Sequence, residues 1–150
     1  MRVYVAGPMT GKALYNWPAF KEAAAKLMNF GYSVVTPFEL NSIVWERHFG
    51  REFNPGVDKC EYGDQLLCEM AALDLQTVCE VDAVAVLEGW QHSKGARLEV
   101  LLAEQLGKII LDATTGERIS TTIRQHMSAY GAFQAGFTAS GVFRDRADNG

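Results

Sequence analysis

The sequence predicts an α/β fold built on a parallel sheet of about five strands, and three observations carry that prediction. Short, largely apolar runs recur at Val3–Ala6, Ser33–Thr36, Ala83–Leu87 and Lys108–Leu111. Such runs, without polar alternation, are strands covered on both faces. Helical patterns stand between them, and alternation of strand and helix is the order of a parallel sheet with right-handed crossovers. Finally, the 150 residues are 48% hydrophobic and 21% charged, enough apolar material for a core. The whole chain, 1–150, reads as a single domain.

The first strand ends at Gly7-Pro8 and enters a Gly-bearing loop that reaches Asn16. Asn16 is a good N-cap for a helix with Pro18 in its first turn, and Gly31 ends that helix after about Phe30. Phe20, Ala23, Ala24 and Leu27 supply its inner face. Pro37 stops the second strand. From Phe38 to Asp64 the chain mixes Trp45, Phe49, Phe53 and Tyr62 with Gly50, Pro55 and Gly56. That stretch reads as a short helix plus a long loop, and a long connection usually carries function. A helix follows from about Gln65 to Val81, with Leu67, Ala71, Asp74 and Val78 on one stripe. Another spans Ser93–Gly107. From Thr114 a helix is expected to about Tyr130, then an apolar, Gly-rich stretch to Phe143 and a frayed tail over Arg144–Gly150.

Net charge is −4, with no Lys/Arg cluster, which argues against nucleic acid as a partner. No apolar run approaches membrane-spanning length and no signal pattern precedes the first strand, so a cytoplasmic protein with no membrane contact is expected. Cys60, Cys68 and Cys79 are odd in number and fit reduced thiols. With His48, His92 and His126 they make no metal-ligand spacing, so neither a metal site nor a cofactor is expected.

Three polar residues are out of place for a pure core. Tyr4 lies inside a doubly covered strand, so its hydroxyl needs a partner. Asp74 stands on an apolar stripe, where an unpaired charge is expensive. Glu99 is a lone carboxylate inside the run Ala96–Ala103. A helix starting near Ser93 sets Gly95 and Glu99 on one face, four residues apart, and Glu99 leans back over the space that Gly95 leaves. Each residue also has a plain structural account: a core aromatic, a cap, a solvated helix edge. All three nevertheless belong to elements that meet at one sheet edge, where ligands bind in such folds. Paired carboxylates suit glycosidic cleavage, one attacking the anomeric carbon and the other moving the leaving group's proton. The loop Gly7-Pro8-Met9-Thr10-Gly11 matches neither the dinucleotide fingerprint nor the P-loop.

Read together, Val3-Tyr4-Val5-Ala6-Gly7-Pro8-Met9, then Leu73-Asp74-Leu75 before Val81-Asp82-Ala83-Val84, then Ser93-x-Gly95-x-x-x-Glu99 resemble the nucleoside 2-deoxyribosyltransferase-like superfamily. The nearest branch comprises short, often phage-encoded proteins with Gly-Pro-Met and Gly-Trp-x-x-Ser-x-Gly-Ala motifs. The likeness is ordered and collinear over roughly residues 2–112. It implies a flavodoxin-like three-layer sandwich. It also implies that Glu99 is a nucleophile forming a glycosyl ester, that Asp74 handles the proton at the base, and that Tyr4 orients the glutamate. Substrate contacts are expected from Gly7, Pro8, Met9, Thr10, Trp90, Ser93 and Gly95. In the long connection Trp45, Phe49, Asn41 and Asp58 are available to contact the base, the alternative being that its aromatics fill a satellite core. A homodimer or higher homo-oligomer is implied as well, and the apolar segment Tyr130–Phe143 fits a covered surface.

The transferases of free nucleosides carry Asp six residues before the nucleophile. The 2-deoxynucleoside 5-monophosphate N-hydrolases, including the 5-hydroxymethyl-dUMP hydrolase, carry Ser there, as this chain does at Ser93. An Asp repels a phosphate dianion, whereas a hydroxyl at a helix N-terminus binds it. The chain departs from the hydrolases at Pro8, where they have a second Ser. The expected activity is cleavage of a 2-deoxynucleoside 5-monophosphate to free base and deoxyribose 5-phosphate. The alternatives are base exchange between deoxynucleosides and a non-catalytic protein that sequesters a nucleotide.

Overall fold

The computed structural model describes residues 1–58 and 64–119. Contacts divide the chain into Met1–Ser120 and Thr121–Gly150, and the description below concerns the first unit. The readings made for Tyr62, Cys60, His126 and everything from 120 onwards lie outside the described residues.

Strands β1 (Arg2–Ala6), β2 (Ser33–Val35), β3 (Ala83–Val86) and β4 (Ile109–Asp112) form one sheet in the order β2-β1-β3-β4. Every pairing is parallel, with Tyr4 beside Val35 on one side and Val84 on the other. The predicted α/β class holds, with four strands among the described residues against the expected five or so. Among the described residues this is the flavodoxin order with its first four strands. From β1 the chain leaves toward β2, and from β3 it leaves in the opposite direction toward β4. The crevice beyond the carboxyl ends of β1 and β3 is therefore the place where such a sheet accepts ligands.

Alternation along β1 divides its side chains between two layers. Val3 and Val5 join the main core with Phe20, Ala23 and Leu27 of helix α1 (Trp17–Asn29). Tyr4, fully buried, takes the other face, where α4 (Lys94–Gln105) packs on β1 and β3 and against α3 (Asp64–Glu80).

Several boundaries differ from the sequence reading, each for a local reason. Asn16 precedes α1, but at φ 64 it is left-handed and makes no side-chain cap. It ends a turn in which Leu14 and Tyr15 also have positive φ, 51 and 53, a costly run for non-glycine residues. The Tyr15 ring rests on Phe53 at 5.9 Å and ties that turn to the core. Pro37 does not merely stop β2; it is the first residue of α2 (Pro37–Phe49), a position where its missing N–H costs nothing. Thr36 caps α2, accepting from Phe38 N at 3.3 Å while Glu39 accepts from Thr36 N at 2.9 Å. That Thr-x-x-Glu capping box extends the expected short helix to 13 residues.

Along α3, Leu67 and Ala71 are exposed while Leu66 and Met70 join the core. The assumed stripe of Leu67, Ala71, Asp74 and Val78 is thus buried only at its C-terminal end. The α3 register is set by packing on α2 through Leu66 and Met70, which rotates Leu67 outward. The helix expected from Thr114 does not begin there either. Asp112 Oδ1 accepts from Thr114 N and Thr115 N at 2.7 and 3.0 Å, and Gly116 adopts φ +74. This Asx-type turn sends the chain back along β4, where Arg118 bridges Leu111 antiparallel.

Candidate active site

Tyr4, Asp74 and Glu99 come from β1, α3 and α4, and the packing of these helices on one face of the sheet brings them together. Their charges act on one another within the cluster. Asp74 raises the pKa of Glu99, and both carboxylates raise that of the Tyr4 hydroxyl, after the larger effect of its own burial. As whole residues Asp74 and Glu99 are only half-buried. Their reactive ends are not: Asp74 Oδ1, Glu99 Oε2 and the Tyr4 hydroxyl oxygen are sealed from solvent without a hydrogen-bond partner.

Burial first, and then the Asp74 charge, pushes the Glu99 carboxyl up to about 8, while the Tyr4 hydroxyl acts in the opposite direction. Burial alone pushes Asp74 to about 7. The Tyr4–Glu99 contact is close enough to stabilise the carboxylate, yet it falls short of full hydrogen-bond geometry. Catalytic hydrogen bonds of this kind tighten around the reacting complex. Three buried, unsatisfied polar groups in one cluster form a costly arrangement. Two carboxyls titrating near neutrality can hold one proton between them and supply a base or nucleophile and an acid together.

The Tyr4 hydroxyl yields a direct test. Tyr4→Phe removes a buried oxygen that has no full partner, so its melting temperature is expected to equal or exceed that of the parent. Loss of the group that favours the Glu99 carboxylate should still slow turnover, by about tenfold or more. A lower melting temperature with unchanged activity would make Tyr4 a structural residue.

Around the cluster, the predicted substrate-binding residues fall into distinct groups. Gly7 ends β1 where a Cβ would lie 2.8 Å from Leu87, so glycine permits the close approach of the two strand ends. Pro8 is buried, and its Cγ lies 3.7 Å from where a Gly89 Cβ would stand. The loops after β1 and β3 therefore pass close to each other beyond the strand ends. Met9 is half-buried against the core and Thr10 is exposed. The Met9–Lys12 turn closes through Lys12 N to Met9 O at 3.2 Å, with Gly11 at φ +79. Beyond β3, a 3-10 turn over Trp90–His92 leads to Ser93. Ser93 Oγ accepts from Ala96 N at 3.2 Å and so caps α4, leaving the hydroxyl hydrogen available to donate. Gly95 is exposed, and Glu99 Oε1 lies 3.9 Å from where its Cβ would be. That is ordinary contact, so Glu99 does not itself require glycine there.

The two tryptophans sit differently. Trp90 is 5% exposed inside its turn, and Trp45 is 5% exposed in the main core. Trp45 stacks on Phe49 at 4.1 Å and meets Phe53 edge-on at 5.3 Å, so its ring faces are engaged in packing. Asp58, another polar residue of this connection, is committed as well. It pairs with Arg51 at 2.8 Å and accepts from Asn54 N at 2.7 Å. The Arg51 guanidinium, with help from Asn54, holds its carboxyl down at about 2.

Sequence reasoning missed the approach of α2 to the site. Glu39, in the first turn of α2, is near enough for its charge to act on Tyr4. The capping box at Thr36–Glu39 was the available signal, hidden by reading Pro37 only as a strand stop. Among the described residues no group of His, Cys, Asp and Glu could hold a metal ion, and no helix is long and apolar enough to cross a membrane. Cys68 and Cys79 are free and exposed.

Over residues 1–112 the chain matches the family model DUF4406, described as a domain of unknown function. No curated protein matches it.

Proposed function

The chain belongs to the DUF4406 family, and we propose that it is an N-glycosidase of 2-deoxynucleoside 5-monophosphates. The observation that carries the proposal is the convergence of Tyr4, Asp74 and Glu99 in one buried cluster whose two carboxyls titrate near neutrality. The resemblance to the nucleoside 2-deoxyribosyltransferase-like superfamily gives the same three residues those roles.

In the proposed reaction Glu99 attacks the anomeric carbon through a carboxylate oxygen. The C–N bond breaks, its electron pair stays with the base, and neutral Asp74 delivers a proton there. The glycosyl ester on Glu99 is then opened by water, whose proton returns to Asp74. The productive form carries one proton on Asp74 and none on Glu99. With Asp74 at about 7 and Glu99 at about 8, the shared proton rests mainly on Glu99. This productive form is therefore the minority one, and the Tyr4 hydroxyl raises its share by stabilising the Glu99 carboxylate. The hydroxyl of Ser93 and the N-terminus of α4 supply donors for the phosphate.

Deprotonation of Glu99 makes activity rise with pH, and loss of the Asp74 proton makes it fall. Since the pair titrates at about 7 and about 8, a bell with its maximum between those values is expected. Asp74→Asn should remove the alkaline limb and move the acid limb to lower pH, because the charge that raises Glu99 is gone. Turnover should drop about a hundredfold, least for bases that leave easily. Equal loss across leaving groups, with the bell unchanged, would mark Asp74 as structural.

The primary test is incubation with deoxynucleosides and their 5-monophosphates, with and without a free acceptor base. Release of base from monophosphates supports the proposal. Exchange of bases between free nucleosides points instead to a transferase working through the same ester. Tight binding without turnover points to a sequestering protein.

A further inference from the structure

We propose that the groove between α1 and α2 is a docking surface for a basic amphipathic helix of a protein partner. The groove has a volume of about 600 Å³, and none of Tyr4, Asp74 and Glu99 lines it. Phe20 and Phe38, edge to face at 5.2 Å, form part of its apolar lining. Trp17, Met28 and Ile43 also line it, yet they remain 39, 54 and 51% exposed. Large apolar side chains left open along one groove mark a surface that another molecule covers.

Shape, length and charge decide what covers it. A small-molecule site encloses most of its ligand, whereas the exposure of Trp17, Met28 and Ile43 leaves this groove open. Trp17 and Met28 stand eleven residues apart in α1, a distance of about 16 Å. That is the reach of about three helical turns, over which a docked helix presents anchors at i, i+4 and i+7. Ala24 and Ala25 line the groove between those two residues, and small side chains at the contact let a second helix come close.

Glu39, Glu46 and Glu52 line the groove against a single cation, Lys21. The Lys21 ammonium lies over the Trp17 ring at 5.0 Å. Glu39 is engaged in capping α2, accepting from Thr36 N. Among the described residues Glu46 and Glu52 form no ion pair. An acidic rim beside apolar anchors complements a helix whose apolar face is flanked by Lys or Arg. The same rim repels nucleic acid and anionic lipid, and it disfavours a second copy of a chain whose own net charge is −4.

The test uses the whole protein and a synthetic Leu/Lys peptide of about 14 residues, patterned to form an amphipathic helix of about four turns. A Leu/Glu peptide of the same pattern and a scrambled Leu/Lys peptide serve as controls. Binding is followed by calorimetry and by tryptophan emission, which reports on Trp17 because Trp45 and Trp90 are each 5% exposed. The patterned Leu/Lys peptide should bind and shift the emission to the blue, and both controls should bind about tenfold more weakly or worse. Ile43→Ser should weaken binding about fivefold by removing apolar contact, and Glu46→Lys should do so by about the same factor through charge. Both positions are exposed, so neither variant should lower the melting temperature appreciably. Equal binding of either control, an affinity untouched by either substitution, or no binding at all overturns the proposal. So does self-association of the parent that Ile43→Ser abolishes, since the occupant is then a second copy.

Discussion

Glu99→Gln is expected to abolish turnover and to make the protein more stable at alkaline pH. Activity is lost because a neutral amide cannot form the glycosyl ester. The stability gain follows from burial. The Glu99 carboxyl titrates at about 8 in the folded protein and near 4.3 in an unfolded chain. Between those values the folded state holds a proton that the unfolded chain has released, so stability declines as pH rises through the window. Glutamine has no such proton and no charge to desolvate. Its melting temperature should exceed the parent's by roughly 5 °C at pH 8, and the difference should vanish near pH 4. Thermal melts across pH, paired with an activity assay, check both halves. A folded Glu99→Gln protein that still turns over would sink the catalytic reading. A melting difference that ignores pH would show instead that the carboxyl is solvated.

Ser93→Asp should separate nucleotides from nucleosides. Ser93 caps α4 through Ala96 N, and Asp is as good a cap, so the fold should not register the change. A 5-phosphate beside the same helix start would. Setting a carboxylate against a dianion in a partly dehydrated site costs several kcal/mol, on the order of a thousandfold in apparent affinity. Free deoxynucleosides should be nearly indifferent. Ser93→Ala should be milder toward monophosphates, since one donor goes and no repulsion is added, but it loses about 1 kcal/mol of capping. Comparison of kcat/KM for nucleoside and monophosphate in the three proteins gives the answer. Unchanged monophosphate activity in Ser93→Asp would move the assignment to free nucleosides.

Much of this molecule is legible locally. The strands could be read because their apolar runs end at turn residues, and α1 because Phe20, Ala23, Ala24 and Leu27 keep helical spacing and are all buried. The candidate cluster was legible for the opposite reason. Tyr4, Asp74 and Glu99 break the pattern around them, and polar groups in apolar settings stand out without any coordinates. The misreadings also have local causes. Pro37 signals both a strand end and a helix start, and only the pairing of Thr36 with Glu39 decides between them. Asn16 has the right chemistry for a cap but a left-handed backbone, imposed where the Tyr15 ring seats on Phe53.

By itself the sequence determined the α/β class, the placing of its elements and the three misfit polar residues, because hydrophobic period and residue chemistry act over a few neighbours. Only the tertiary structure decided which side chains are dry and which are free. Trp45 looks available along the chain, yet its faces are spent on Phe49 and Phe53. Asp58 looks like a contact residue, yet Arg51 holds it. Asn41 also looks available for contact along the chain, yet in the fold its amide oxygen is buried without a partner. Desolvation and pairing depend on atoms from segments far apart in sequence. The raised carboxyls at Asp74 and Glu99 therefore exist only once α3 and α4 close over β1.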